Sequence, residues 1–143
     1  MPRVLTRRML INDIDAAGIA YTGRLVTIAL EALEEGLART GLDFASMLRE
    51  GRLGVPLVHI SADFKSPFRH GDQVDIDLCC EDIGERSYTC RVDLLPAGRS
   101  DAAASLRFTA AVIDMTTFKA TAVPPAIRAA LERISPAGTP RSG

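Results

Sequence analysis

From residue 22 to Gly41 the chain repeats apolar side chains at helical spacing. Leu25, Val26, Ile28, Ala29, Leu30, Ala32, Leu33 and Leu37 fill most of the circumference, and Arg24, Thr27, Glu31, Glu34 and Glu35 share a polar stripe about 100° wide. The spacing predicts one helix over about 23–40, ended by Gly41 in a left-handed cap. A helix so widely apolar must be enclosed. From Pro56 the period changes to two. Val58, Ile60, Ala62 and Phe64 alternate with His59, Ser61, Asp63 and Lys65; Val74, Ile76, Leu78 and Cys80 alternate with Asp75, Asp77, Cys79 and Glu81. Tyr88, Cys90, Val92 and Leu94 follow the same rule, and a last apolar stretch runs over about 103–115, extending at most to 122. Turns at 69–72, 82–85 and 96–101 suggest four strands in an antiparallel meander.

Shorter elements flank these. Residues 3–12 predict an entering strand, and 43–50 a short helix capped by Asp43. Pro124-Pro125 opens a final helix over about 126–134. Residues 135–143 predict a disordered tail, which leaves one α+β domain over 1–134. The economical arrangement is a curved antiparallel sheet wrapped around the long helix. An open sheet keeps exposed edges, so edge-to-edge pairing of at least two copies is expected.

Composition narrows the function. At 143 residues, 47% apolar and 24% charged, the chain suits one soluble globular domain. A net charge of -1 and no Trp argue against nucleic acid as a partner. No stretch approaches the ~18 uninterrupted apolar residues of a membrane span, and no apolar signal segment opens the chain, so a cytoplasmic location is expected. Cys79, Cys80 and Cys90 lack paired C-x-x-C spacing, which favours buried free thiols over a disulfide framework or metal site. Neither phosphate-binding glycine motifs nor G-x-S-x-G is present.

What remains is Asn12-Asp13-Ile14-Asp15-Ala16-Ala17-Gly18-Ile19-Ala20-Tyr21-Thr22-Gly23, two acids leading into the helix. The first amides of a helix have no internal acceptor and sit at its positive end. A carbonyl held there would be polarised within reach of Asp15.

This segment, with Gly41, Gly54-Val55-Pro56-Leu57-Val58, Phe64-x-x-Pro67 and Gly71-Asp72-x-Val74-x-Ile76, resembles the hotdog-fold acyl-CoA thioesterases of the 4-hydroxybenzoyl-CoA type over residues 3–131. The resemblance implies that Asp15 is the catalytic carboxylate, as nucleophile or as base toward water. It implies that helix-start amides near Thr22 and Gly23 receive the thioester oxygen, and that Arg86 and Ser87 contact the CoA phosphates. It also implies acyl-CoA as substrate, no separate cofactor, and a homodimer or a dimer of dimers with sites across the subunit interface. The chain departs from the family at Thr22-Gly23-Arg24-Leu25, where relatives carry His or Tyr and then Pro/Ala-Asn-Tyr.

Other side chains have weaker claims. Asp13 reads as structural, and Glu31, the runner-up acid, as a partner of Arg24 on the polar stripe. Ile19, Tyr21, Val58 and His59 are candidates for the acyl pocket; His70 reads as surface. A hydratase of enoyl or hydroxyacyl thioesters on this fold would need a His beside the acid, and none lies within forty residues of Asp15 in sequence. The third reading is an acyl-CoA-binding protein without turnover.

Overall fold

A computed structural model describes residues 2–136. The long helix α1 spans Thr22–Arg39, followed by α2 (Phe44–Glu50) and, near the end, α3 (Pro125–Arg133). Seven strands accompany them: β1 (Arg3–Arg8), β2 (Leu53–Gly54), β3 (Leu57–Phe64), β4 (Gln73–Ile83), β5 (Ser87–Pro96), β6 (Ala104–Ala111) and β7 (Ile113–Asp114). Five form one antiparallel sheet in the order β1-β4-β5-β6-β3, and β2 pairs with β7 apart from it. The expected tail lies largely outside the described residues.

The period-two pattern sets the two faces of the sheet. Ile76, Leu78, Cys80, Cys90, Val92, Leu94, Leu106 and Phe108 are inaccessible on the face toward α1. They meet Leu25, Ile28, Ala29, Ala32, Leu33 and Leu37 of the helix. Each such large side chain contributes roughly 1.5–3 kcal/mol by leaving water. Gly36 stands on the same helical face, where an added Cβ would come within 2.2 Å of Leu78 Cδ2. The missing side chain therefore lets β4 approach α1. All three cysteines are buried and unpaired.

Four expectations are corrected. The sheet is not a four-strand meander: only β4, β5 and β6 follow one another, while β3 pairs with β6 and β1 takes the place beside β4. Alternation reports which face a side chain occupies, not which strand lies alongside. The turn expected at 69–72 is present, with Asp72 N donating to the Arg69 carbonyl at 3.1 Å, but it ends a crossing segment over 65–72 and joins no hairpin, since β3 and β4 are not neighbours. Phe68 is buried, its carbonyl accepts from Ala20 N at 2.8 Å, and Gly71 N and Met9 N close two further bonds to Met9 and Asp72 carbonyls. The last strand also breaks early. Val112 is buried between β6 and β7, and Asp114 then opens a turn by accepting from Thr116 N and Thr117 N. Finally, α1 is enclosed on one side only, leaving Val26 and Leu30 half-buried.

The ends follow local rules. Gly41 adopts φ 99°, and Leu42 N returns to the Leu37 carbonyl, closing α1 in a left-handed cap. Asp43 caps α2 by accepting from Ser46 N. Helix α3 covers β4 beyond the end of β1: Cys80 N donates to Ile134 O at 3.0 Å and Arg128 to Gly84 O at 2.8 Å. The strand β3 stands apart from this packing. Every residue of it except Ala62 is exposed, so an edge carrying Val58, Ile60 and Phe64 faces outward.

Candidate active site

The acidic segment folds into a small closed loop before α1. Ile14 bridges Ala20, Ile19 bridges Arg69, and Asp15 N donates to the Ile19 carbonyl at 2.9 Å. Gly18 turns the chain at φ 83°, a left-handed conformation that a side chain would resist.

The two acids of the motif part company here. Asp13 is 1% exposed. Its Oδ1 accepts from Arg24 Nε at 2.7 Å, and its Oδ2 from Arg7 Nη2 at 2.6 Å and Leu10 N at 2.8 Å. Burial alone would push this carboxyl up. The Arg24 hydrogen bond, the Leu10 amide and the two guanidinium charges outweigh it and hold the group below the usual carboxylate range. Asp13 is thus the structural acid, as the sequence suggested. Asp15 is exposed, with Oδ1 accepting from Ala17 N at 2.8 Å. Its Oδ2 has no partner among the described residues.

The start of α1 lies on the same loop. Tyr21 caps it without a side-chain bond, and its carbonyl takes both Arg24 N and Leu25 N. The amides of Thr22 and Gly23 have no acceptor among the described residues. A cavity of about 220 Å³ opens at this helix tip, lined by Ile19, Ala20, Thr22 and Leu25, and across from them by Phe64, Lys65, Ser66 and Pro67. Tyr21 is exposed beside it. Phe64 and Lys65 had no assigned role in the sequence reading. The Phe64-x-x-Pro67 motif was the signal that places them there.

The remaining candidates are elsewhere in the same chain. Val58 is the extra residue of a bulge at the start of β3, which puts Leu57 in register with Ala110 and His59 with Thr109. Both Val58 and His59 are exposed. At about 3.4 Å per residue, His59 lies roughly 17 Å along the strand from Phe64. Arg86 precedes β5 and Ser87 opens it near that same end of β3, since Arg86 O accepts from Val112 N and Ala111 N donates to Pro56 O. Glu31 is exposed and only 3.8 Å from Arg24 Nη1, the loose pairing expected of it. His70 is exposed, as the surface reading anticipated.

Comparison with known proteins places this geometry in a family. The family model for the thioesterase-like superfamily matches residues 9–131, and the chain belongs to that superfamily. A 1,4-dihydroxy-2-naphthoyl-CoA hydrolase from Synechococcus sp. is 31% identical over 136 residues, which is 92% of this chain and 90% of that protein. One of the same name from Picosynechococcus sp. is 39% identical over 82 residues, 57% of this chain; the match spans just over half, 56%, of that relative's length. Among solved structures, a thioesterase-superfamily protein from Jannaschia sp. matches 96% of this chain and 99% of its own, with TM-score 0.81 and 28% identity. The 1,4-dihydroxy-2-naphthoyl-CoA thioesterase from Synechocystis shares the fold at TM-score 0.83 and 24% identity, over 89% of this chain and 93% of its own. The hotdog fold expected from the sequence is therefore the fold of this chain. Among the described residues, no helix is long and apolar enough to cross a membrane.

Proposed function

We propose that this protein hydrolyses acyl-CoA thioesters and that its acyl group is aromatic, of the dihydroxynaphthoyl kind named for its relatives. In this reading the thioester oxygen lies on the Thr22 and Gly23 amides, where charge developing in the transition state meets fixed donors and the positive end of α1. Asp15 acts through Oδ2. It either attacks the carbonyl carbon, releasing CoA thiolate and leaving an anhydride that water opens, or takes a proton from the water that attacks directly. Substrate brings its own CoA, so no further cofactor is invoked.

One observation carries the proposal. The candidate residues fall into two groups at opposite ends of β3: Ile19 and Thr22 beside its end, on the loop and helix start that carry Asp15, Tyr21 and Gly23, and Val58, His59, Arg86 and Ser87 beside its start. The strand between them is an unpaired, apolar edge. Antiparallel pairing of β3 with β3 of a second copy brings the start of one against the end of the other. Each helix tip then gains the opposite group, and the exposed edge disappears. The functional unit in this reading is a homodimer, or a pair of such dimers, with two composite sites in each.

Mixing inactive variants tests both chemistry and assembly. Asp15→Asn and Arg86→Glu homodimers should each release little CoA from an aromatic CoA thioester followed with a thiol-trapping dye. Mixed dimers place both lesions in one site and leave the other intact, so each should have half of the wild-type activity and a fully exchanged equimolar mixture about one quarter. No recovery after verified subunit exchange rejects the shared site. Loss of the crotonyl-CoA double bond without thiol release would replace hydrolysis with hydration.

A further inference from the structure

Two nucleophilic groups that the thioester chemistry leaves unused face each other in the core. Cys80 of β4 and Cys90 of β5 are partners across the sheet, and both are wholly buried. At the other end of the same ladder Ala97 N donates to Gln73 O, which makes those two residues a hydrogen-bonded pair. Alternation from there puts Val74–Pro96, and every second pair up to Cys80–Cys90, in non-hydrogen-bonded positions. Side chains come closest in such pairs, whose Cα atoms stand about 4.5 Å apart. That is the short end of the ~4.4–6.8 Å a disulfide spans, so a bond can close here under enough strain to be reduced again. The ladder also loosens at this point. Its register shifts between Cys80 and Asp82, and Cys80 Sγ donates to the Asp82 carbonyl at 3.4 Å.

The two sulfurs are in contact and unequal. The hydrogen bond between them draws Cys80 below the ordinary thiol value, while that bond and burial hold Cys90 well above it. Cys80 is also the one nearer to solvent. The Ser135 hydroxyl, just past α3, hydrogen-bonds its side chain, and Ser135 lines a cavity of about 220 Å³ with Pro2, Cys79 and Ile134. Two bonds tie this part of the chain down, Cys80 N to Ile134 O and Arg128 to Gly84 O. Elements near a chain end open locally at far less cost than global unfolding.

We propose that Cys80 and Cys90 form a site of reversible oxidation by hydrogen peroxide, reached when the end of α3 opens. The Cys80 thiolate attacks one peroxide oxygen and the O–O bond breaks, leaving a sulfenic acid and, with the thiol proton, one water. Cys90 sulfur then attacks Cys80 sulfur; the S–O bond breaks, and the second water departs with the Cys90 proton. Two thiols are oxidised and one peroxide is reduced, and two equivalents of a thiol such as glutathione reverse the change. Cys90 thus intercepts the sulfenic acid before a second peroxide carries it to the irreversible sulfinic acid.

Peroxide treatment followed by intact-mass measurement and peptide mapping tests this. The wild type should lose two hydrogens, join Cys80 to Cys90, and regain both thiols with glutathione. Cys79→Ala should do the same, since strand alternation turns Cys79 to the opposite face. Cys90→Ala should instead gain two oxygens at Cys80. Arg128→Ala, which unties α3 from Gly84, should speed bond formation about tenfold, the scale of one hydrogen bond from a charged group. Wild-type thiols that stay reduced under peroxide that oxidises the urea-unfolded chain would overturn the assignment. So would a bond made by Cys79, sulfinic acid at Cys80 in the wild type, or an unoxidised Cys80 in Cys90→Ala. An unchanged rate in Arg128→Ala would overturn the route through α3.

Discussion

Arg24 Nε donates to Asp13 Oδ1 at 2.7 Å, tying the first turn of α1 to the acidic loop that precedes it. Arg7 of β1 holds the other oxygen of the same carboxylate. Three elements thus converge on one buried acid, two residues before Asp15. A carboxylate shared by two arginines fixes the loop in one geometry, and the exposed Asp15 inherits that order through the Ile14–Ala20 bridge.

Removing Asp13 should therefore cost stability. Asp13→Ala leaves two part-buried guanidinium groups without their common partner, and breaking such a pair typically costs about 3–5 kcal/mol. Folding lowers the Asp13 pKa, so its contribution is complete above the ordinary carboxylate value of about 3.9 and is lost as pH falls through the lower folded value. Urea titrations from pH 7 down to pH 2 check this. The wild type should lose stability over the acid range, and the variant should start lower and show a flatter acid limb. Parallel curves would remove Asp13 from the acid response.

Gly36 and Leu78 give a packing prediction. An added methyl at Gly36 would stand 2.2 Å from Leu78 Cδ2 and 3.2 Å from Val4 Cγ2. Gly36→Ala should destabilise by about 1–3 kcal/mol, as overpacked cores do, despite the better helix propensity of alanine. Leu78→Ala alone should also destabilise. The double variant should be more stable than the sum of the two effects implies, because each relieves the other. Simple additivity in chemical denaturation would mean that the contact is not limiting.

Most of this architecture was legible in the chain, and the exceptions share a cause. Helical spacing gave α1 within a residue at each end, and period-two alternation gave the inward faces of β4 and β5. Neither pattern carries information about strand neighbours. The turn at 69–72 therefore looked like the link of a hairpin, although it closes a crossing segment in which Phe68 is buried. Gly36 was hidden because a helix glycine shows its purpose only against the side chain that fills its place. Asp15, Ile19 and Thr22 came together because one short segment encodes them. Val58, His59, Arg86 and Ser87 stand at the other end of β3 within one chain, and the proposed pairing with a second copy is what would join the two groups.

The exposure of Asp15 separates catalysis from stability. Asp15→Asn keeps the Oδ1 acceptor for Ala17 N and removes only the charge and basicity, so the melting temperature should stay within about 2 °C of wild type, as for most surface changes. CoA release should fall by at least 100-fold, the scale of a lost general base or nucleophile. Thioester binding, measured as KM or by titration with a non-hydrolysable thioether, should change little. A variant that turns over at the wild-type rate would remove Asp15 from the reaction.

The edge of β3 decides whether the two groups of site residues ever meet. Val58 and Ile60 are 61% and 46% exposed, unusual for apolar residues on a strand that has no neighbour on one side. Lysines on such an edge oppose strand addition, the device by which natural sheets stay separate. Val58→Lys/Ile60→Lys should sediment as a monomer where the wild type sediments as a dimer or larger. Its far-UV circular dichroism should be preserved, because neither side chain is buried in the single chain. Activity should fall with the association, since each helix tip loses the Arg86, Ser87 and His59 that only the second copy brings to it. A monomeric variant of full activity would confine the site to one chain and leave those three residues without a part in it.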